Sequence, residues 1–283
     1  MADRLFVLLQ YLLPKHLISR LVGLLAHSSM PVIKDPLMRL FIKHFKVNMD
    51  EAERQLPSEY DNFNDFFTRS LKPEARPIDQ NLKHLACPVD GAISQLGRIT
   101  GDTIFQAKGH QYSLTSLLGG NDALATPFID GDFATIYLAP KDYHRIHMPC
   151  DGTLTHMMHV PGELFSVNQT TADQVPGLFA RNERVVAIFD TEFGPLAMVL
   201  VGAMIVASIE TVWAGLVCPK GKLVSQFNYA NQTPIILQRG AEMGRFKLGS
   251  TVVVLLPKGV SEWPLELSAG TTTRLGQMLA QLN

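Results

Sequence analysis

The stretch Arg239-Gly-Ala-Glu-Met-Gly-Arg-Phe-Lys-Leu-Gly-Ser-Thr251 runs directly into Val252-Val-Val-Leu-Leu256. The second part is short, β-branched and closed by Pro257, so it reads as a buried strand. At its mouth stands Gly249-Ser250-Thr251. A glycine there lets the backbone approach its surroundings closely. The serine after it has two chemical uses: nucleophile towards a substrate, or attack on the carbonyl of Gly249 with scission of the chain. A strand-entry turn without chemistry has the same composition, so the decision rests on the rest of the chain.

Working outward, the texture on both sides of Ser250 is that of strands. Thr135-Ile-Tyr-Leu138, Val185-Val-Ala-Ile-Phe189, Ala197 to Ile209 and Thr251 to Leu256 are short apolar runs between glycine turns. They predict a β-rich, mostly antiparallel, barrel-like domain. Gly202 is expected at a bend or bulge within the third of these runs.

The N-terminal part differs. Leu5 to Leu13 is apolar but broken by Pro14, lacks a basic leader, and is too short to span a bilayer. Leu17 to Leu25 carries Arg20. Pro36 to Val47 places Leu37, Leu40, Phe41 and Phe45 at helical spacing among Lys34, Arg39, Lys43 and Lys46. Such basic amphipathic helices lie in a membrane interface or pack on a core. Asp50 to Arg69 reads as one more helix with an aromatic face, and Lys72 to Asp79, with two prolines, as a linker. The fold class is therefore α+β. Residues 1–72 read as a helical region, membrane-associating or packed on a core, and residues 73–283 as a β-rich domain.

A net charge of −1 gives no footprint for nucleic acid. Cys87, Cys150 and Cys218 are odd in number and form no CxxC pair, which argues against a disulfide framework and fits a reducing compartment. Two loops carry polar residues a core does not need. Cys87-Pro-Val-Asp-Gly91 reads as an Asp-Gly turn. Pro140 to Pro149 holds His144 and His147 three apart, but no further ligand cluster points to a metal. Pro161 to Asn168 mixes apolar and hydrogen-bonding side chains, as a loop lining a substrate would.

Taken together, Phe63-Asn-Asp-Phe-Phe-Thr-Arg69, Pro88-Val-Asp-Gly91, Asp142-Tyr-His-Arg-Ile-His-Met-Pro149, Gly162-Glu-Leu-Phe-Ser-Val-Asn168, Val201-Gly-Ala203 and Gly240 to Thr251 resemble the bacterial, membrane-associated phosphatidylserine decarboxylases. The resemblance covers almost the whole chain and departs at Ala207, where the family has glycine. It implies that Asp90, His147 and Ser250 form a triad in which Asp90 orients His147 and His147 takes the proton of Ser250. It further implies self-cleavage between Gly249 and Ser250, and a covalent pyruvoyl group derived from Ser250. That carbonyl would form a Schiff base with the substrate amine and act as electron sink when carbon dioxide leaves. His144 is the candidate acid for reprotonation, with Phe165, Ser166 and Asn168 as headgroup contacts. The implied substrate is phosphatidylserine in the membrane, at the cytoplasmic side of a bacterial inner membrane and with peripheral association. The two fragments are expected to stay together, and a homo-oligomer is implied.

Three readings compete. A serine hydrolase would use Ser250, His147 and Asp90 on an external ester, although Gly-x-Ser-x-Gly is missing. A lipid-binding β-domain would do no chemistry. A pyruvoyl decarboxylase of a soluble amino acid would leave the amphipathic N-terminal region unexplained.

Overall fold

A computed structural model of the chain describes residues 2–204, 208–219, 221–247 and 250–283. Leu248, Gly249 and Ala207 therefore lie outside the described residues. Three helices open the chain, Ala2–Leu12, Lys15–Ala26 and Pro31–Phe45. The first two meet at 90° around Leu13-Pro14, because proline cannot continue the ladder. Among the described residues no single helix is long and apolar enough to cross a membrane.

The stretch 50–69 is not the one helix that its aromatic spacing suggests. It contains a 3₁₀ turn, Pro57–Glu59, and a short helix, Phe63–Phe67. Pro57 opens the turn, and the Asn62 side chain accepts from Asp65 N at 3.1 Å to start the helix afresh. Phe63, Phe66 and Phe67 are buried in edge-on contact with Phe41.

The β domain is built on a nine-stranded sheet whose named strand pairs are all antiparallel. Its centre is Ser250–Leu256, paired on one side with Asp132–Leu138 and on the other with Gly194–Val201. A four-stranded sheet carries Gly215–Cys218, Ser208–Thr211, Glu242–Lys247 and Arg145–His147 in that order. Among the described residues no sheet closes on itself, so the expected barrel-like domain is not a closed barrel.

Both faces of the central strand are covered. Val253 and Leu255 point into one core with Val7, Ala26, Met38 and the phenylalanines of 63–67. Val252, Val254 and Leu256 point into a second core with Ile146, Ile209, Met243 and Phe246. That is why the strand reads as a continuous apolar run rather than an alternating one. Each of its buried side chains contributes about 1.5–3 kcal/mol. The N-terminal helices thus share a core with the sheet.

The run Ala197 to Ile209 divides at Gly202. Gly194–Val201 stays in the large sheet, Gly202 N donates to Glu183 O at 2.9 Å, and Ser208–Thr211 joins the small one. The bend expected there is a change of sheet. A second change of sheet falls between Lys247 and Ser250, where the chain leaves the small sheet and enters the centre of the large one.

Candidate active site

Strand pairing ties the histidine segment both to the chain opposite Ser250 and to the strand Glu242–Lys247 that precedes it. Ser250 lies opposite Leu138, after which the chain turns through Ala139–Asp142 towards His144. Asp142 Oδ2 fixes that turn by accepting from Ala139 N at 2.7 Å. From the other side, Phe246 N donates to the His144 carbonyl at 3.0 Å, and Glu242 lies opposite His147. The segment read as a loop is therefore half strand, with Arg145–His147 on the edge of the small sheet.

Ser250 is fully buried, and its Oγ has no hydrogen-bond partner. An orphaned hydroxyl is rare in a protein interior, where buried polar groups are almost always paired. Ser250 pairs with Leu138 and the next residue, Thr251, pairs with both neighbouring strands, so the Oγ sits at the start of a strand held on both sides.

His144 is also fully buried, its ring centroid 4.0 Å from that of Phe67. Nδ1 donates to the Asp142 carbonyl at 2.8 Å, which leaves Nε2 as a lone pair with no partner. Burial pushes its pKa down to about 3, with the Arg69 guanidinium acting in the same direction. His144 is therefore a neutral imidazole, and an acceptor before it is an acid.

His147 is held differently from the expected triad. Nδ1 donates to the Gly240 carbonyl at 2.7 Å, and the Tyr143 hydroxyl lies 3.1 Å from Nε2. Burial lowers its pKa as well, which favours the basic form. Its backbone N donates to Pro88 O at 3.0 Å, tying it to the Pro-Val-Asp-Gly turn. Gly91 is required in that turn, since a Cβ would stand 2.3 Å from the Tyr137 carbonyl oxygen.

Asp90 faces elsewhere. Its carboxylate takes Arg76 Nε at 2.8 and 3.0 Å and the Leu275 backbone N at 2.9 Å. Arg76 also binds Glu51 at 2.8 Å, and these two carboxylates raise its pKa. Among the described residues no hydrogen bond joins Asp90 to His147 or His147 to Ser250. His147 is tied to the Asp90 turn through Pro88 and to the small sheet through Glu242, and the triad bonds implied by the resemblance are not made among the described residues.

The loop 162–168 packs on the N-terminal helices. Gly162 lies so close to Arg181 that a Cβ would stand 2.3 Å from its carbonyl oxygen. Phe165 is buried, with Lys15 Nζ 3.5 Å and the Arg181 guanidinium 4.9 Å from its ring centroid. Ser166 N donates to Gln10 Oε1 at 2.8 Å. The Asn168 side-chain oxygen caps the helix Gln169–Ala172, accepting from Thr171 N at 3.0 Å. A cavity of about 300 Å³ opens beside Phe165, walled by Tyr11, Lys15, Leu17 and Glu163.

Three residues escaped the sequence reading. Arg76 and Tyr143 partner the expected catalytic groups, yet nothing in their local pattern marks them. Gly240 acts through a backbone carbonyl, which has no sequence signature at all. A buried trio, His159, Glu183 and Cys218, also brings donor atoms within 4.8 Å of one another, with His159 Nε2 and Glu183 Oε1 2.9 Å apart. These three positions are spread over 60 residues, which hides them from any spacing motif.

A family model described as phosphatidylserine decarboxylase matches residues 63–281, and a second, described as PSD, matches residues 5–46. The phosphatidylserine decarboxylase proenzyme of Pseudomonas putida (strain F1) is 58% identical over 282 residues, covering 99% of this chain and 98% of that protein. The protein of the same name from Pseudoalteromonas atlantica is 60% identical, over 100% of this chain and 99% of its own length. That from Bordetella petrii is 58% identical, over 98% and 97%. A match across the helical region, the histidine segment and the strand headed by Ser250 leaves one assignment: this chain belongs to the phosphatidylserine decarboxylase family.

Proposed function

We propose that this protein decarboxylates phosphatidylserine to phosphatidylethanolamine, using a pyruvoyl group that it makes from its own Ser250. The observation that carries this reading is the buried, unpartnered Oγ of Ser250, in a chain whose His144 and His147 are kept basic by burial and which is so similar to proenzymes of that name.

In the self-processing step, His147 takes the Ser250 hydroxyl proton once Tyr143 yields Nε2. The Oγ then attacks the Gly249 carbonyl carbon, the peptide C–N bond breaks, and an ester remains. Loss of the Ser250 α-proton expels the Gly249 carboxylate and leaves a dehydroalanine at 250. Water then replaces its nitrogen, which departs as ammonia, giving the α-keto group. Asp90 supports His147 through its own turn, whose Pro88 carbonyl accepts from His147 N.

The residues present suit such a group. It would head a strand held on both sides, in a site closed to bulk water. When formed, its carbonyl takes the substrate amine and accepts the electron pair released with carbon dioxide. His144 Nε2, as a neutral acceptor, takes up a proton and returns it to the substrate carbon.

The fragment beginning at Ser250 remains bound, because Ser250–Leu256, Thr272–Thr273 and Met278–Leu282 all pair with strands preceding the cut. Intact-mass measurement tests the reading together with carbon dioxide release from phosphatidylserine. Two masses splitting at 249/250, the smaller ending in a keto group, are expected. A fresh, active preparation in one uncleaved piece sinks the reading.

The lipid has to be met at its membrane. The first two helices hold Leu5, Leu8, Leu12, Leu17, Leu21 and Leu24 exposed, Leu12 and Leu24 at 74% each. Val7 and Ala26 on the same helices are buried in the core. This apolar face suits an interfacial anchor, with peripheral attachment at the cytoplasmic side of the inner membrane. Leu12→Gln/Leu21→Gln/Leu24→Gln, which spares the core, is expected to weaken sedimentation with anionic vesicles at least tenfold. Full retention on vesicles moves the anchor elsewhere.

A further inference from the structure

Arg69 ends the segment Phe63-Asn-Asp-Phe-Phe-Thr-Arg69 and is only 3% exposed. Its Nη2 donates to the Lys141 carbonyl at 3.0 Å and reaches the Asp142 carbonyl at 3.5 Å. Nε and Nη1 have no hydrogen-bond partner. Among the described residues the guanidinium makes no ion pair. Burial lowers its pKa, yet a guanidinium remains charged in proteins. A buried, unpaired cation is strongly unfavourable, and such groups are normally paired or bound to a ligand.

Arg69 helps to wall a cavity of about 220 Å³ whose lining includes Lys46, Lys141, Arg76, Asp90 and Tyr143. Asp90 and Glu51 already engage Arg76. Lys46 and Lys141 form no ion pair among the described residues. Asp142, the other carboxylate in the wall, is already engaged, its Oδ2 accepting from Ala139 N at 2.7 Å. The cavity thus presents a surplus of positive charge with open N–H donors. It also adjoins the catalytic histidines. The Asp142 carbonyl accepts from His144 Nδ1 and faces Arg69, and Tyr143 in the wall contacts His147.

We propose that Arg69, with Lys46 and Lys141 around it, binds the phosphodiester of the glycerophospholipid headgroup. The inference rests on the decarboxylase reading for the identity of its ligand. The substrate carries two anions, and the chemistry separates them. The carboxylate loses its charge as carbon dioxide forms, so a cation paired with it would stabilise the ground state more than the transition state. The phosphodiester keeps its charge throughout, and free serine lacks it. A guanidinium there binds substrate and transition state alike and selects lipid over amino acid, with its fork of donors matched to phosphate oxygens.

The test uses the full chain carrying Ser250→Ala, so that binding is read without cleavage or cofactor. Calorimetry with glycerophosphoethanolamine, inorganic phosphate and serine is expected to show the two phosphate probes competing for one site and serine failing to displace them. Adding Arg69→Gln is expected to weaken glycerophosphoethanolamine about tenfold or more, and Arg69→Lys less. Crystals of the Ser250→Ala protein soaked with glycerophosphoethanolamine give a readout that needs no change at Arg69. Phosphate within hydrogen-bond reach of Nε or Nη1 supports the proposal, and phosphate elsewhere overturns it. Unchanged binding on Arg69→Gln, or displacement by serine, also overturns it. Phosphate binding at Arg69 in a protein whose unmutated form releases no carbon dioxide from phosphatidylserine would retain the anion site and remove the decarboxylase reading instead.

Discussion

Ser250→Ala is expected to leave one intact 283-residue chain with no detectable decarboxylation, at unchanged or slightly higher thermal stability. The Oγ is fully buried and unpartnered, so its removal breaks no hydrogen bond and relieves a desolvated hydroxyl. That separates chemistry from folding, since most substitutions in a central strand lose both. His147→Ala is expected to slow cleavage by about 10²–10⁴, the usual worth of a general base. Asp90→Asn should slow it less, because the Gly240 carbonyl, not Asp90, directly holds His147 Nδ1. Intact mass over time reads all three. A Ser250→Ala chain that still divides at 249/250 would overturn the self-processing scheme. For the hydrolase alternative, a fluorophosphonate would label an intact 283-residue chain; the decarboxylase reading expects no such label.

The strand after Ser250 was legible because two covered faces demand an unbroken apolar run, and Val252 to Leu256 supply it. The N-terminal helices were legible for the complementary reason, a one-sided leucine stripe. The stretch 50–69 misled because its aromatics sit at helical spacing while Pro57 and the Asn62 cap divide it; their burial comes from Phe41, not from a continuous helix. The bend at Gly202 was expected, but not the change of sheet there, because hydropathy carries no information on which sheet a strand joins. At the candidate site, Ser250, His144, His147 and Asp90 were expected from the resemblance. Their partners did not follow, because Arg76 meets Asp90 through the fold and Gly240 contributes only its carbonyl. Asn168 looked like a headgroup contact and serves as a helix cap, two roles that ask for the same side chain.

His144→Gln is expected to abolish most decarboxylation, by about 10²–10⁴ in kcat, while the chain still cleaves itself and resists acid better than the parent. The two effects share one cause. Burial against Phe67 keeps the imidazole neutral, with its pKa at about 3 against an ordinary 6.5. Between those values the unfolded chain takes up a proton at this position that the folded chain refuses. Acidification through that window therefore drains stability, which is fully present above about pH 6.5 and lost progressively below it. Glutamine can still donate to the Asp142 carbonyl but has no group to protonate, so the acid midpoint should move to lower pH. His147, whose pKa burial also lowers, leaves part of the acid sensitivity in place. A purely structural His144 would show the acid shift with activity intact; a catalytic one loses carbon dioxide release while intact mass still reports two fragments. Full activity in His144→Gln would remove this residue from the reaction and return the proton transfer to His147 or to water.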